Sequence, residues 1–350
     1  MAGKVNAFAR HRRDVVNQVA RQLNLAVSPE VQKFFDAVEG GDWREIKGLY
    51  SSLMARRDAG TDAELNAVWP ALRETYGVAE QSQFWPAQEL LSYGQSVLGA
   101  LPPGAVVIAG NDAARAIPAL VSETGGGTAR PVILPADSTD DPGTLAYLSA
   151  VHGDRLVLPS GDPGSADPNA TPEAGREGAT RRAGGLFRAL LEKNPTSPLL
   201  VADGAAAAAL GLEVVPRGPV MEVVTGGATP AETQARAGET LAYWKDTAQR
   251  LQSESGLGGD APTRRAYANM ALSQAGLYAA RNLPSEADQM YRYAMEVAPS
   301  ALDPVQAYSG YLAGAGRVAE AMRVVDEFAR QNEELRAAAD VLRQSLQPKP

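Results

Sequence analysis

Ala287-Asp288-Gln289-Met290-Tyr291-Arg292-Tyr293-Ala294-Met295-Glu296-Val297-Ala298-Pro299 is the stretch on which the reading of this chain turns. It puts a small residue at 287, an aromatic one turn later at 291, a small residue again at 294 and a proline at the end. Thirty-four residues on, the same frame meets Ala321, Val325 and Phe328, and upstream Ala275 and Tyr278 are matched by Ser309 and Leu312. Antiparallel helices approach closely only where a small side chain faces the partner, and the larger residue one turn on fills the space between them. The pattern predicts two tandem helical hairpins over about residues 268–335.

A 34-residue helical period resembles the tetratricopeptide repeat. The chain departs from that pattern in three places: the first helix of each unit lacks a leading tryptophan, the second unit ends without proline, and Phe328 stands where a small residue is usual. Two units are also fewer than the three or so that such arrays need to be stable. They are therefore expected to lean on the preceding helix or on the α/β segment. The resemblance implies a shallow groove for a protein or peptide partner, or for a second copy of the chain. Asn269 and Ser273, four apart on the first helix, and the tyrosines Tyr308 and Tyr311 are the candidate contact residues.

Working outward, residues 1–95 read as a helical domain. Val15, Val19 and Leu23 make one apolar stripe, and Ser28-Pro29 opens a helix that stops at Gly40-Gly41. Asp42 starts its antiparallel partner. After Leu101-Pro102-Pro103-Gly104 the pattern changes to short apolar runs bounded by turn residues: 105–109, 131–135, 155–158 and 198–202. Such runs alternating with helices predict a parallel, Rossmann-like α/β domain over 96–228. A hairpin or strand pair at 212–224 closes it. Residues 160–179 are nearly devoid of large apolar side chains and are expected to form a mobile loop. Residues 229–350 read as helical, with the repeats inside them. The fold class expected is thus α/β plus α.

With 45% hydrophobic and 21% charged residues, the chain is globular for most of its length. Its net charge of −8 argues against nucleic acid as a partner. The basic cluster Arg10-His11-Arg12-Arg13 reads as a charged helix face. There is no cysteine, so disulfides, thiolate catalysis and zinc–cysteine sites are excluded. No apolar run reaches the ~18 residues of a membrane span. The compartment stays open: cytoplasmic if Met1 is the native start, extracytoplasmic if a signal or anchor has been removed.

Chemistry-bearing residues are sparse. Asn111-Asp112, Asp137 and Asp203 each follow a predicted strand, where ligands of open α/β sheets bind. Gathered together, they would suit a Mg²⁺-assisted sugar or phosphate reaction; singly, Asp112 and Asp203 would cap the helices that follow them. The first strand is not followed by a glycine fingerprint, and Asp112 puts negative charge where a phosphate would sit. Nucleotides and other cofactors are therefore not expected. His11 and His152, the two histidines, fall in different predicted domains, which argues against a site that uses both.

The run 101–112, followed by Ile117-Pro118, and the later run Pro198 to Ala202, Leu210-Gly211-Leu212 and Arg217 to Val224 resemble a further family. This is the soluble extracytoplasmic domain of multi-spanning, O-mannosyltransferase-like bacterial membrane proteins. That resemblance implies a partner-binding or glycan-facing module without the catalytic membrane part, with Asn111 and Asp112 as its carried-over positions. The reading taken from the sequence is a non-enzymatic binding or scaffold protein; the alternative is the Mg²⁺-assisted enzyme.

Overall fold

The computed structural model describes residues 1–60, 62–110, 112–125, 130–159, 172–254, 258–259 and 261–346. The chain is mostly helical with a small mixed sheet of five strands. It divides into two units, one of residues 1–200 with 206–212, the other of 201–205 with 213–350.

In the first unit, α1 (Ala2–Gln22), α2 (Pro29–Gly40), α3 (Trp43–Asp58), α4 (Ala63–Phe84) and α5 (Ala87–Gly99) precede β1 (Val106–Ala109). Then come α6 (Asp112–Thr124), β2 (Val132–Pro135), α7 (Pro142–His152) and α8 (Pro172–Lys193), followed by β3 (Leu199–Val201) and α9 (Gly204–Ala209), whose residues 201 and 204–205 belong to the second unit. The α2–α3 hairpin forms as its sequence dictates: Gly41 takes the left-handed φ of 76° that ends α2, and the Asp42 carboxylate accepts from the N–H groups of Arg44 and Glu45 to start α3. The helix α1 packs on α2, α4, α6 and α7, so the N-terminal helices and the helices around the first strands share one core. Gly143 lets α7 approach α4: a Cβ there would sit 2.6 Å from the Ala67 Cα.

β1 and β2 pair in parallel, Val106 opposite Val132, and every residue of both is buried. Buried on both faces, these strands read in sequence as apolar runs rather than alternations. The sheet as a whole is mixed, which corrects the expectation of a parallel one. Residues 155–158, expected as a strand, are not one. The Asn194 side chain takes the place of a neighbouring strand there, donating to the Val157 carbonyl and accepting from its N–H, both at 2.9 Å. Val157 is left 59% exposed, where a central strand would have buried it. Of the loop expected over 160–179, residues 160–171 lie outside the described part. From Pro172 onward the backbone is helical, since proline suits the first turn and the glutamate, alanine and arginine that follow favour helix.

The second unit contains β4 (Val214–Arg217), β5 (Val220–Val223), α10 (Pro230–Ser253), α11 (Pro262–Ala280), α12 (Pro284–Val297), α13 (Leu302–Gly314), α14 (Val318–Gln331) and α15 (Arg336–Ser345). A short 3₁₀ turn, Glu333–Leu335, leads into α15. β4 and β5 form an antiparallel hairpin turned at Gly218, whose φ of 56° suits the first central position of a two-residue turn. The hairpin packs under α10 and α11, and the Gln274 amide of α11 donates to the carbonyls of Gly218 and Val220.

Between α11 and α14 the backbone repeats itself. Both ends of α12 recur as the ends of α14, from 284 to 318 and from 297 to 331. The left-handed residue in each turn recurs as well, Asn282 at φ 56° and Gly316 at 76°. Leu283 N–H bonds the Tyr278 carbonyl at 3.0 Å, and Arg317 N–H bonds the Leu312 carbonyl at 2.8 Å. These are the same helix-ending bonds at equivalent positions. Ala287 and Ala321 have no exposed surface. Replacing either by leucine is expected to cost about 1–3 kcal/mol by overpacking. Urea unfolding of the C-terminal helices, with exposed Ala319→Leu as control, measures it. Stability equal to that of the control would show that no close helix contact exists at these alanines.

Candidate functional site

The four strand-end candidates fare differently. Asn111 lies outside the described residues, and Asp112 is described only as the first residue of α6. Asp137 is exposed and forms an ion pair with Arg73 of α4. Asp203 precedes α9. Among the described residues no group of three His, Asp or Glu is placed to hold a metal ion.

A polar cluster that the sequence reading did not identify lies inside the first unit. Phe8, Arg12 and Val16 follow one another at four-residue steps along α1, on the face that packs against α4, α6 and α7. Arg12 is therefore buried, 1% exposed, in the middle of an apolar stripe. Its Nε donates to Glu74 of α4 at 2.8 Å, and its two terminal nitrogens donate to the two carboxylate oxygens of Glu123 of α6 at 2.8 and 2.5 Å. The guanidinium also stacks over the Phe8 ring, 4.3 Å from its centre. Tyr147 of α7 completes the group by donating to Glu74 Oε2 at 2.5 Å.

The electrostatics follow from this packing. Burial opposes the Arg12 charge, but Tyr147, Glu123 and Glu74 together hold its pKa well above the usual value. Burial would raise Glu123, yet the Arg12 charge and hydrogen bonds from His11 and Arg12 carry it down to about 2. Tyr147 is raised chiefly by burial, with the two glutamates adding to it. His152 at the end of α7 is lowered to about 3, first by burial and then by the charges of Arg12 and Arg155. Arg155 Nη2 lies 3.1 Å from His152 Nδ1; an arginine only donates, so that nitrogen accepts and the ring proton belongs on Nε2. His11, half exposed, places its Nδ1 3.2 Å from Glu123. The two histidines lie in one unit, and the charges of Arg12 and Glu123 act on both.

The outer side of this cluster opens on a cavity of about 820 Å³, walled by Lys4 and His11 of α1, Glu123 and Thr124 at the end of α6, and Arg130 and Arg155. A second depression, of about 690 Å³, lies in the other unit over α12, α13 and α14. Met295, Leu312 and Val324 provide its apolar wall, with Arg323 and Glu327 at its edge. Tyr308, a predicted contact residue, lines this groove but is itself buried, stacked 5.3 Å from Tyr291. Tyr311 stacks on Tyr291 too, at 5.1 Å, so Tyr291 links the two predicted tyrosines. Asn269 is exposed and Ser273 half-buried on α11, where the Ser273 carbonyl lies 3.3 Å from the position of a Cβ at Gly204. That face of α11 is partly covered within its own unit.

The chain matches no protein-family model, no curated protein and no solved structure.

Proposed function

We propose that this chain is a binding protein rather than an enzyme, and that its C-terminal helices are two tetratricopeptide-type units that receive a segment of a protein partner. The observation that carries this reading is the 34-residue recurrence of the turn itself. Asn282 and Gly316 share a backbone conformation that few residues adopt readily, and the same helix-ending hydrogen bonds surround both. The α/β segments that resemble the soluble domain of O-mannosyltransferase-like proteins fit the same proposal, as a module that binds rather than transfers.

The docking surface proposed is the groove over α12, α13 and α14, in place of the face of α11 that carries Asn269 and Ser273. An apolar wall flanked by charges of both signs suits an amphipathic segment, whose apolar side chains meet Met295, Leu312 and Val324. The Mg²⁺ reading is less well supported, because Asp137 is already engaged by Arg73.

A photoreactive side chain at Arg323 is expected to cross-link a discrete partner, or a second copy, in cells that make the protein. The same probe at exposed Gln234 of α10 should not. The exchange Arg323→Glu with Glu327→Arg keeps a pair of opposite charges at four-residue spacing on α14 but inverts what the partner meets. It should weaken binding of the purified partner at least tenfold, about 1.4 kcal/mol. Equal affinity for parent and exchanged protein would remove the groove from consideration.

A further inference from the structure

The cavity of the first unit has a charge opposite to that of the chain around it. In a protein of net charge −8, Lys4, Arg130 and Arg155 converge on one space of about 820 Å³ together with His11. Of the two carboxylates in its wall, Glu123 is taken up by both terminal nitrogens of buried Arg12. Asp154, 78% exposed along its side chain, is 3.4 Å from Arg155 Nε, a long and solvated contact.

Neutral acceptors hold Lys4 and Arg155 in position. Lys4 Nζ donates to the carbonyl and the hydroxyl of Thr124 at 3.0 and 3.3 Å. Arg155 donates to the carbonyls of Arg130 and Val151 at 3.2 and 3.4 Å. Bonds to carbonyls fix a cation without cancelling its charge, so an anion entering here meets donors already in place. The volume falls within the range of small-molecule sites.

We infer that this cavity is a binding site for a small anion bearing a phosphate or carboxylate group, held by Lys4, Arg130 and Arg155. The site is independent of the groove proposed for a protein partner, and each proposal stands or falls without the other. No reaction is assigned to it. His11 lines the same space, with its Nδ1 3.2 Å from Glu123 and 3.0 Å from Arg12.

Calorimetric titration of the full chain at low ionic strength tests this with three probes: phenyl phosphate, benzoate and the uncharged benzyl alcohol. Phenyl phosphate or benzoate is expected to bind with a millimolar or tighter Kd, and benzyl alcohol at least tenfold more weakly. Preference between the two anions tells phosphate from carboxylate recognition. The double variant Lys4→Gln, Arg130→Gln should lose at least tenfold in affinity for the better anion. Lys4→Arg, which keeps the charge, should retain it. The double variant Arg44→Gln, Lys47→Gln removes the same charge from exposed positions of α3 and should bind like the parent. The inference is overturned if none of the probes binds, if benzyl alcohol binds as well as the anions, or if both double variants lose affinity equally. Melting temperatures of all variants, taken in parallel, separate a lost site from a lost fold.

Discussion

Replacing Arg12 by methionine should cost about 3–5 kcal/mol of stability, because it strands two carboxylates in the core. Methionine has nearly the length of the arginine stem and is at home among Phe8, Val15 and Val16, so the loss is not one of packing. It comes from Glu74, 4% exposed, and Glu123, which together lose the three hydrogen bonds that Arg12 supplies. Lysine should rescue only part of the loss, since a single ammonium cannot meet both oxygens of Glu123 while also reaching Glu74. Adding Glu123→Gln to Arg12→Met should recover a share, because a neutral amide is cheaper to leave unpaired than a carboxylate. Urea unfolding at neutral pH measures all three. The control is Arg10→Met on the same helix, whose partner Glu39 is met at a side chain 66% exposed. If Arg12→Met proves as mild as this control, the buried triad does not hold the helices together.

The helices that carry the site were easier to read than the site. Ala287 and Ala321 lie on helices of equal length at a fixed period, and local spacing alone reports such an arrangement. The αα-hairpin at Gly41-Asp42 was legible for the same reason, since a left-handed glycine and a capping aspartate are local signals. The absent strand at 155–158 was not legible, because the partner that replaces a strand there is the side chain of Asn194, far along the chain. Arg12 was misread through its neighbours. Arg10 and Arg13 are partly exposed and bind surface acids, and a run of four basic residues looks like one surface face. The signal that distinguishes Arg12 is its phase, since it falls between Phe8 and Val16 in the apolar stripe while its neighbours do not. Glu74 and Glu123 carried no such mark. Their roles depend on how α4 and α6 close over α1, and sequence spacing does not contain that packing.

Acid should destabilise this protein before ordinary carboxylates begin to titrate, and His152 is the expected cause. In the folded chain the ring is held neutral with a pKa of about 3, against an ordinary value of 6.5. Burial is the main reason, and protonating Nδ1 would also break its bond from Arg155 and add a cation near two guanidinium groups. Glu123 offsets this only in part, and His11 adds to it. Between those two pH values the unfolded chain binds a proton that the folded chain refuses, so stability falls as pH is lowered through that window. At pH 4.5 the unfolded state has gained about two pKa units of advantage, or about 2–3 kcal/mol. Glu123 acts in the same direction but later: its pKa of about 2 in the fold, against the usual 4.5, is a stabilisation that starts to fade as the pH nears 4.5 and is lost mainly below it. Most of the loss between pH 7 and 4.5 therefore belongs to the histidine, and the variant lacking it reads the remainder that lowered carboxylates contribute. Urea unfolding at both pH values should show the parent losing about 2–3 kcal/mol. His152→Gln, which has no proton to take up, should lose less than half as much, whatever its stability at neutral pH. Equal losses in the two proteins would assign the acid sensitivity to other groups and would mean that His152 is not held neutral by its surroundings.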